Sequence, residues 1–163
     1  MLTLPKVVTR PETTYYAIRR KVRIPFTAVI DEVMPTMGGW FSSHGIERPG
    51  PAVFRYDTIK MPALEMEFGH IHTGGLATAG EVRAGSLPAG DYAAITYWGH
   101  YKDLEEVNAV LIGWARLSGL ALDVAEDEAG DRFAGRFELY PNGPMDEPDP
   151  SKWETQVFIR LRD

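Results

Sequence analysis

A repeated order of secondary-structure patterns is the feature of this sequence that most constrains its fold. A strand pattern, a helix pattern and two further strand patterns occur in the first half, and the same order follows in the second half. Matching residues recur in the two halves: Tyr15–Ile18 with Tyr92–Ile95, Gly39–Trp40 and Gly45–Ile46 with Gly113–Trp114 and Gly119–Leu120, Tyr56 with Tyr140, and Glu65 with Glu154. Two copies are too few, and the period too long, for a solenoid. We therefore predict a duplicated βαββ unit, with halves over about 12–75 and 80–163 of one domain spanning 1–163.

Apolar periodicity predicts one helix in each half. From Leu104 onward, apolar residues recur at the spacing of one helical face, with Asp103 as a candidate N-terminal cap and Gly119 as a stop. This pattern predicts a helix over 103–119. A second helix is predicted over 28–44, with Pro35 inside it as the source of a kink or a late start.

Strand patterns surround the two helices and set the fold class. They cover 13–22, 53–58, 64–68, 81–87, 91–98, 133–140 and 153–161. Residues 141–150 form an acidic, proline-rich loop pattern. We predict an α+β fold with pseudo-twofold symmetry, in which an antiparallel sheet carries two helices on one face and a ligand groove on the other. Concave surfaces between like units commonly hold ligands.

Composition excludes several classes of function. The chain has no cysteine, which excludes disulfides, thiolate catalysis and zinc sites that need sulfur, and fits a cytoplasmic protein. Its net charge of −6 disfavours a nucleic-acid partner. No run approaches the roughly 20 apolar residues of a membrane-spanning helix, so we expect no membrane partner.

Other side-chain patterns do not make a convincing reaction centre. His70 and His72 share a strand face, but without a third ligand we predict no metal and no other cofactor. Glu65 and Glu67 also share a face, where solvated carboxylates are commoner than a catalytic pair. The adjacency of residues 42–44, Ser-Ser-His, is not the geometry of a triad.

Five segments together resemble the GyrI-like family, whose domain senses drugs in multidrug-responsive transcription regulators. They are Leu4–Lys6, Leu87–Tyr92, Gly99–Leu104, Phe137–Pro141 and Lys152–Thr155. The resemblance covers essentially the whole chain and implies a pseudo-twofold pair of βαββ units around a groove. The segment before Thr13 has no helix-turn-helix pattern, so we expect neither DNA binding nor a direct transcriptional role.

The resemblance implies that Glu138 lies at the bottom of the groove, where it attracts cationic, lipophilic compounds. On the predicted strand Glu138 alternates with Phe137 and Leu139, which we expect to face the helices. Glu138 and Tyr140 then point to the opposite, concave face. The alternative is an ordinary exposed glutamate on a strand.

Aromatic side chains are the remaining candidates for ligand contacts: Tyr56, Tyr140, Trp40, Trp98, Trp114 and Trp153. Tyr56 and Trp98 lie on strand segments near the seam between the halves. Trp40 and Trp114 either wall the groove or belong to the helix cores. Trp153 follows the long loop and either caps the groove or anchors the last strand.

Three functions are compatible with these features. The first is binding of small lipophilic organic compounds, cations among them, in a receptor, sequestering or drug-resistance role. The second, implied by stand-alone family members, is a hydrolase that opens strained cyclopropane rings of cytotoxic compounds with Glu138 as general base. The third, implied by the family's name, is inhibition of DNA gyrase through protein contact.

Overall fold

Two helices lie on one face of a ten-stranded antiparallel sheet in the computed structural model, which describes residues 1–163. The first half contains β1 Lys6–Arg10, β2 Thr13–Arg23, α1 Thr27–Ser43, β3 Ala52–Lys60 and β4 Ala63–Ile71. The second contains β5 Val82–Leu87, β6 Gly90–Trp98, α2 Leu104–Leu117, β7 Val124–Asp127, β8 Gly130–Phe133, β9 Arg136–Tyr140 and β10 Glu154–Arg160. Short 3-10 turns cover Tyr101–Asp103 and Pro150–Lys152.

The strand order reflects the duplication of the chain. It runs β1-β6-β10-β9-β3-β4-β2-β5, with the β7–β8 hairpin attached to β3. Thus β6-β10-β9 and β3-β4-β2 are the same three-stranded unit, placed on either side of the β9–β3 pairing. The predicted α+β class with duplicated βαββ units is confirmed.

Each helix covers its own half of the sheet on the same face. From α1, Val33, Met37 and Phe41 are buried against side chains of β2, β3 and β4. The corresponding residues of α2 are buried against β6 and β10. The repeat extends to single side chains, because Ile18 lies under α1 as Ile95 lies under α2. No helix of the chain combines the length and apolar character that crossing a membrane requires.

A third core, here called the inner core, covers the opposite face of the sheet. It consists of Tyr15, Ala17, Val53, Leu87, Tyr92, Ala94, Phe137, Leu139 and Phe158. Some of these residues lie on β2 and others on β6, although the two strands are five strand intervals apart in the sheet order. A flat sheet would separate them by roughly 24 Å, at about 4.8 Å per strand, so the sheet must curl strongly. The sheet is therefore apolar on both faces.

Most predicted elements are present, with three differences. Asp103 makes no side-chain cap bond to α2, because its carboxylate accepts the hydroxyl of Tyr97 instead. The strand expected over 133–140 is two strands, broken between Phe133 and Arg136. The short strands β1 and β7 were not predicted, since both are largely exposed and carry little apolar pattern.

Glycines in the helices provide a test of the packing. A Cβ added at Gly39 of α1 or at Gly113 of α2 would meet no atom within 4 Å. Each substitution by alanine should therefore raise the free energy of unfolding by about 1 kcal/mol, the difference in helix propensity. Chemical denaturation of the two variants measures this gain.

Gly45, which ends α1, is the matched control. A Cβ there also meets no atom within 4 Å, but its backbone φ is 76°. Gly45→Ala should lower stability by about 1 kcal/mol, because a Cβ is disfavoured in left-handed backbone. A loss in Gly39→Ala as large as that in Gly45→Ala would contradict this account of α1.

Candidate functional site

Glu138 is buried at the seam where the two halves of the sheet meet. Its relative exposure is 1%, and it lies opposite Phe54 of β3 and Val157 of β10. Both partners belong to cores beneath the helices, and a side chain of α2 contacts the carboxylate. Glu138 therefore points to the helix face of the sheet.

The predicted orientation of β9 is wrong for this reason. Phe137 and Leu139 belong to the inner core, on the face away from the helices. The expectation assumed that the sheet has one dry face and that this face meets the helices. Because the curled sheet buries both faces, the alternation in β9 is correct but its two faces are exchanged. Glu138, Tyr56 and Tyr140 therefore lie on the face that carries α1 and α2 and not on the opposite face.

Three side chains donate hydrogen bonds to the Glu138 carboxylate. The Tyr56 hydroxyl donates to Oε1 at 3.2 Å, and Asn108 Nδ2 of α2 donates to the same oxygen at 3.1 Å. The Tyr140 hydroxyl donates to Oε2. Tyr56 and Tyr140 are equivalent in the repeat, so the duplication supplies one tyrosine from each half. Both carboxylate oxygens are engaged.

Burial dominates the electrostatics of the cluster. Desolvation raises the pKa of Glu138 above its ordinary value, while the donors and the nearby Arg136 oppose this rise. Burial, reinforced by the Glu138 charge, raises the pKa of Tyr56 and of Tyr140 well above the ordinary tyrosine value. Both hydroxyls therefore keep their protons at neutral pH and remain donors.

Arg136 brings a positive charge to the same face of β9. Its Nη2 donates to Asn108 Oδ1 at 3.1 Å, so Asn108 bridges the guanidinium and the Glu138 carboxylate. The guanidinium carbon lies 4.8 Å from the centre of the Phe133 ring and 5.5 Å from that of Tyr56. Desolvation lowers the pKa of Arg136, but an arginine stays charged at neutral pH.

Two of the three buried side-chain polar atoms without a hydrogen-bond partner flank this cluster. They are Arg136 Nε and Thr155 Oγ1, and the third is Arg55 Nε. Since Gln156 pairs with Leu139, one step along the antiparallel register places Thr155 beside Tyr140. Buried polar groups rarely lack partners, so these atoms are expected to meet a partner from outside the protein, such as a water molecule or a ligand.

A chain of aromatic rings leads from Glu138 to the surface. Tyr101 packs edge-on against Tyr140, with ring centres 5.7 Å apart, and stacks on Trp153 at 4.8 Å. His100, which is exposed, lies 5.5 Å from Trp153. The Trp153 indole donates to the Glu147 carbonyl at 2.7 Å, which fixes the long loop over the last strand.

The Glu138 side chain is closed off from solvent, with a relative exposure of 1%. Neither of two surface depressions, of about 440 and 410 Å³, includes Glu138. The first lies near Asp123 and Arg162, and the second near Lys21 and Lys60. A ligand can therefore reach the carboxylate only if neighbouring side chains move aside, and Tyr101, which packs on Tyr140, is the candidate.

The other tryptophan candidates lie away from Glu138. Trp98 lies four positions after Ala94 on β6 and so shares its face, which carries the inner core and lies opposite the helices. The Trp40 ring contacts Tyr16 at 5.3 Å and neighbouring rings of the first half. Trp114 packs on the core beneath α2. The structure thus brings together Glu138, Tyr56 and Tyr140, with Trp153 joined to them through Tyr101.

The other polar residues considered in the sequence contact groups outside the Glu138 cluster. Glu65 and Glu67 both pair with Arg19, at 2.6 and 3.4 Å. His70 Nδ1 lies 2.9 Å from the Gly50 carbonyl oxygen, and burial lowers the pKa of His70. No three His, Asp or Glu side chains are arranged to hold a metal ion.

Three residues of the site were missed by sequence reasoning. Asn108 is a polar residue in the apolar stripe of α2, four positions from Leu104. Arg136 lies two positions from Glu138, so the alternation of a strand places the two charges on one face. Both signals are present in the sequence. Tyr101 carries no such signal, since its position depends on the turn before α2.

Comparison with known proteins identifies the family. The model of the GyrI-like small molecule binding domain matches residues 4–162. A comparison with curated proteins finds no significant match.

Solved structures share the fold at low sequence identity. The EcmrR chain of a cryo-EM EcmrR–DNA complex is 17% identical with a TM-score of 0.74, and the match covers 98% of this chain and 57% of that one. SAV2435 bound to tetraphenylphosphonium is 10% identical with a TM-score of 0.57, over 98% and 94% of the two chains. A hydrolase from Listeria innocua is 11% identical with a TM-score of 0.60, over 97% and 91%. This chain therefore spans little more than half the length of EcmrR.

The raised pKa of Glu138 predicts how stability depends on pH. Between its ordinary pKa of 4.5 and its raised pKa, the Glu138 carboxyl keeps its proton in the folded state but loses it in the unfolded chain. The contribution of Glu138 to the unfolding free energy is therefore complete below pH 4.5 and declines as pH rises through the folded-state pKa. Glutamine has no proton to lose. The unfolding free energy of Glu138→Gln relative to wild type should therefore increase towards neutral pH, by about 1.4 kcal/mol per pH unit between the two pKa values.

Denaturation of both proteins across this pH range measures the difference. Other titrating groups are common to the two proteins and cancel. A difference that stays constant or falls as pH rises would contradict the burial-raised pKa.

Proposed function

The chain belongs to the GyrI-like small-molecule binding domain family, and from this premise we propose that it binds small lipophilic organic compounds between α1 and α2, over Glu138. The observation that carries the proposal is a fully buried carboxylate, held by three donors and surrounded by aromatic rings, at the seam of the two halves. The unpartnered Arg136 Nε and Thr155 Oγ1 beside it support the same location.

In this proposal the rings and the polar groups have different tasks. Tyr101 stacks on Trp153 and packs edge-on against Tyr140, so a displaced Tyr101 would leave an aromatic face on which a compound can stack. Glu138 and its donors fix the orientation of the polar end of the ligand. Binding would serve a receptor, sequestering or drug-resistance role. The similar fold of SAV2435 with tetraphenylphosphonium makes lipophilic cations candidates alongside uncharged compounds.

A hydrolase is the second candidate, favoured by the buried Glu138 and by the fold shared with the Listeria innocua hydrolase. Glu138 would take a proton from a water that attacks a ring carbon of a strained cyclopropane. The ring C–C bond breaks, its electron pair moves through the conjugated system to a carbonyl oxygen of the substrate that accepts a hydrogen bond from Tyr56 or Tyr140, and the proton held by Glu138 returns to the product. Both oxygens of Glu138 already accept hydrogen bonds, so one must be released before the carboxylate can act as a base. Binding therefore has the stronger support.

Two tryptophans give a matched test of the binding site. Trp153→Leu should weaken binding about 3- to 10-fold, since an aromatic contact contributes about 0.5–1.5 kcal/mol beyond its burial. Trp98→Leu, on the opposite face, should leave the affinity nearly unchanged. Isothermal titration calorimetry with tetraphenylphosphonium and with triphenylphosphine oxide measures both effects. Equal losses in the two variants, or a loss in Trp98→Leu alone, would place the ligand elsewhere.

Turnover separates the two candidate functions. The purified chain is incubated with a cyclopropane-bearing alkylating agent, and mass spectrometry follows the ring-opened product. If the chain is a hydrolase, Glu138→Gln should lower the rate by about 10²–10⁴-fold, the usual contribution of a general base. Equal rates in the two proteins would remove Glu138 from the reaction, and the absence of turnover across a panel would leave binding as the function.

A further inference from the structure

Arg136 occupies the position that a cationic ligand would be expected to take in this site. Its guanidinium lies near the face of Tyr56, with the carbon 5.5 Å from the ring centre, and Tyr56 also donates to Glu138. It lies closer still to Phe133, at 4.8 Å. Distances below about 6 Å are those of cation–π contacts, so the chain provides its own cation to these rings.

Arg136 also opposes part of the attraction that the charge of Glu138 exerts on a cation. Asn108 joins the two groups, since it accepts from Arg136 Nη2 at 3.1 Å and donates to Glu138 Oε1 at 3.1 Å. Asp131, which is partly exposed, adds a weaker attraction on Arg136. A permanent cation that enters the site meets the half-buried Arg136 guanidinium as well as the Glu138 carboxylate, so repulsion from the first offsets attraction to the second.

Arg136 retains donors that no protein group uses. Its Nη2 donates to Asn108, no carboxylate lies within salt-bridge distance, and its buried Nε has no partner. A buried donor without a partner is costly, and a ligand oxygen that accepts from it removes that cost. The site therefore favours a hydrogen-bond acceptor on the ligand.

On the basis of the proposed function, we infer that Arg136 determines which ligands bind: the site takes uncharged aromatic compounds that carry an oxygen acceptor for the guanidinium, and it discriminates against permanent cations. Glu138 alone would favour cations, and Arg136 reverses that preference. Arg136 is thus a specificity-determining residue of the ligand site.

The test compares one cation and one uncharged compound built from the same phenyl rings. Tetraphenylphosphonium is a permanent cation, and triphenylphosphine oxide is uncharged with a strong acceptor oxygen. Calorimetry gives both dissociation constants for wild type, Arg136→Met and Arg136→Lys. Arg136→Met removes the charge and the donors with little change of bulk, whereas Arg136→Lys keeps the charge.

Wild type should bind the oxide at least as tightly as the cation, although the cation has one more phenyl ring. In Arg136→Met the preference should shift towards the cation by about tenfold or more, the equivalent of one charged hydrogen bond. Arg136→Lys should retain most of the wild-type preference. A general loosening of the site would weaken both compounds and leave their ratio unchanged.

Each other outcome contradicts a defined part of the account. If both compounds bind and the ratio is the same in wild type and Arg136→Met, Arg136 does not set the specificity, while the proposed function stands. If Arg136→Met does not fold, a wild-type preference for the cation greater than about tenfold overturns the role of Arg136. If neither compound binds wild type or any variant, the proposed function fails, and this inference fails with it.

Discussion

The pairing of β9 with β3 is the interaction on which the other features of this structure depend. It joins the two copies of the βαββ unit into one sheet and places both helices on the same face. At its centre Phe54 pairs with Glu138, and Tyr56 and Tyr140 converge on that carboxylate from the two halves. The site is a product of the duplication, because neither copy alone contains both tyrosines.

The two copies differ at the centre of the proposed ligand site. If Tyr56 corresponds to Tyr140, then Glu138 corresponds to Phe54, so the first copy has an apolar ring where the second has a carboxylate. Phe54 shows that the sheet accepts an apolar side chain at this position. A buried charge is costly to a fold, and an apolar replacement is often neutral or stabilising. Glu138, with Asn108 and Arg136 around it, is therefore better explained by ligand binding than by stability.

Much of this architecture could be predicted from the sequence, but the face of the sheet on which Glu138 lies could not. Both helices, most strands and the repeat follow from periodicity, and Gly45 and Gly119 end the helices with φ values of 76° and 72°. Alternation in β9 groups Glu138 with Tyr140 correctly but does not say which face meets the helices. That choice depends on the inner core, which forms only because the curled sheet brings β2 and β6 together. The contribution of Tyr101 likewise arises from tertiary packing.

A crystal structure of the chain with a bound aromatic compound would show where the ligand lies. We expect density for the compound between α1 and α2, in contact with Glu138 and Arg136, with the Tyr101 ring displaced from its stack on Trp153. Density on the opposite face near Trp98, or in the depression beside Asp123 and Arg162, with the rings over Glu138 unmoved, would contradict this expectation.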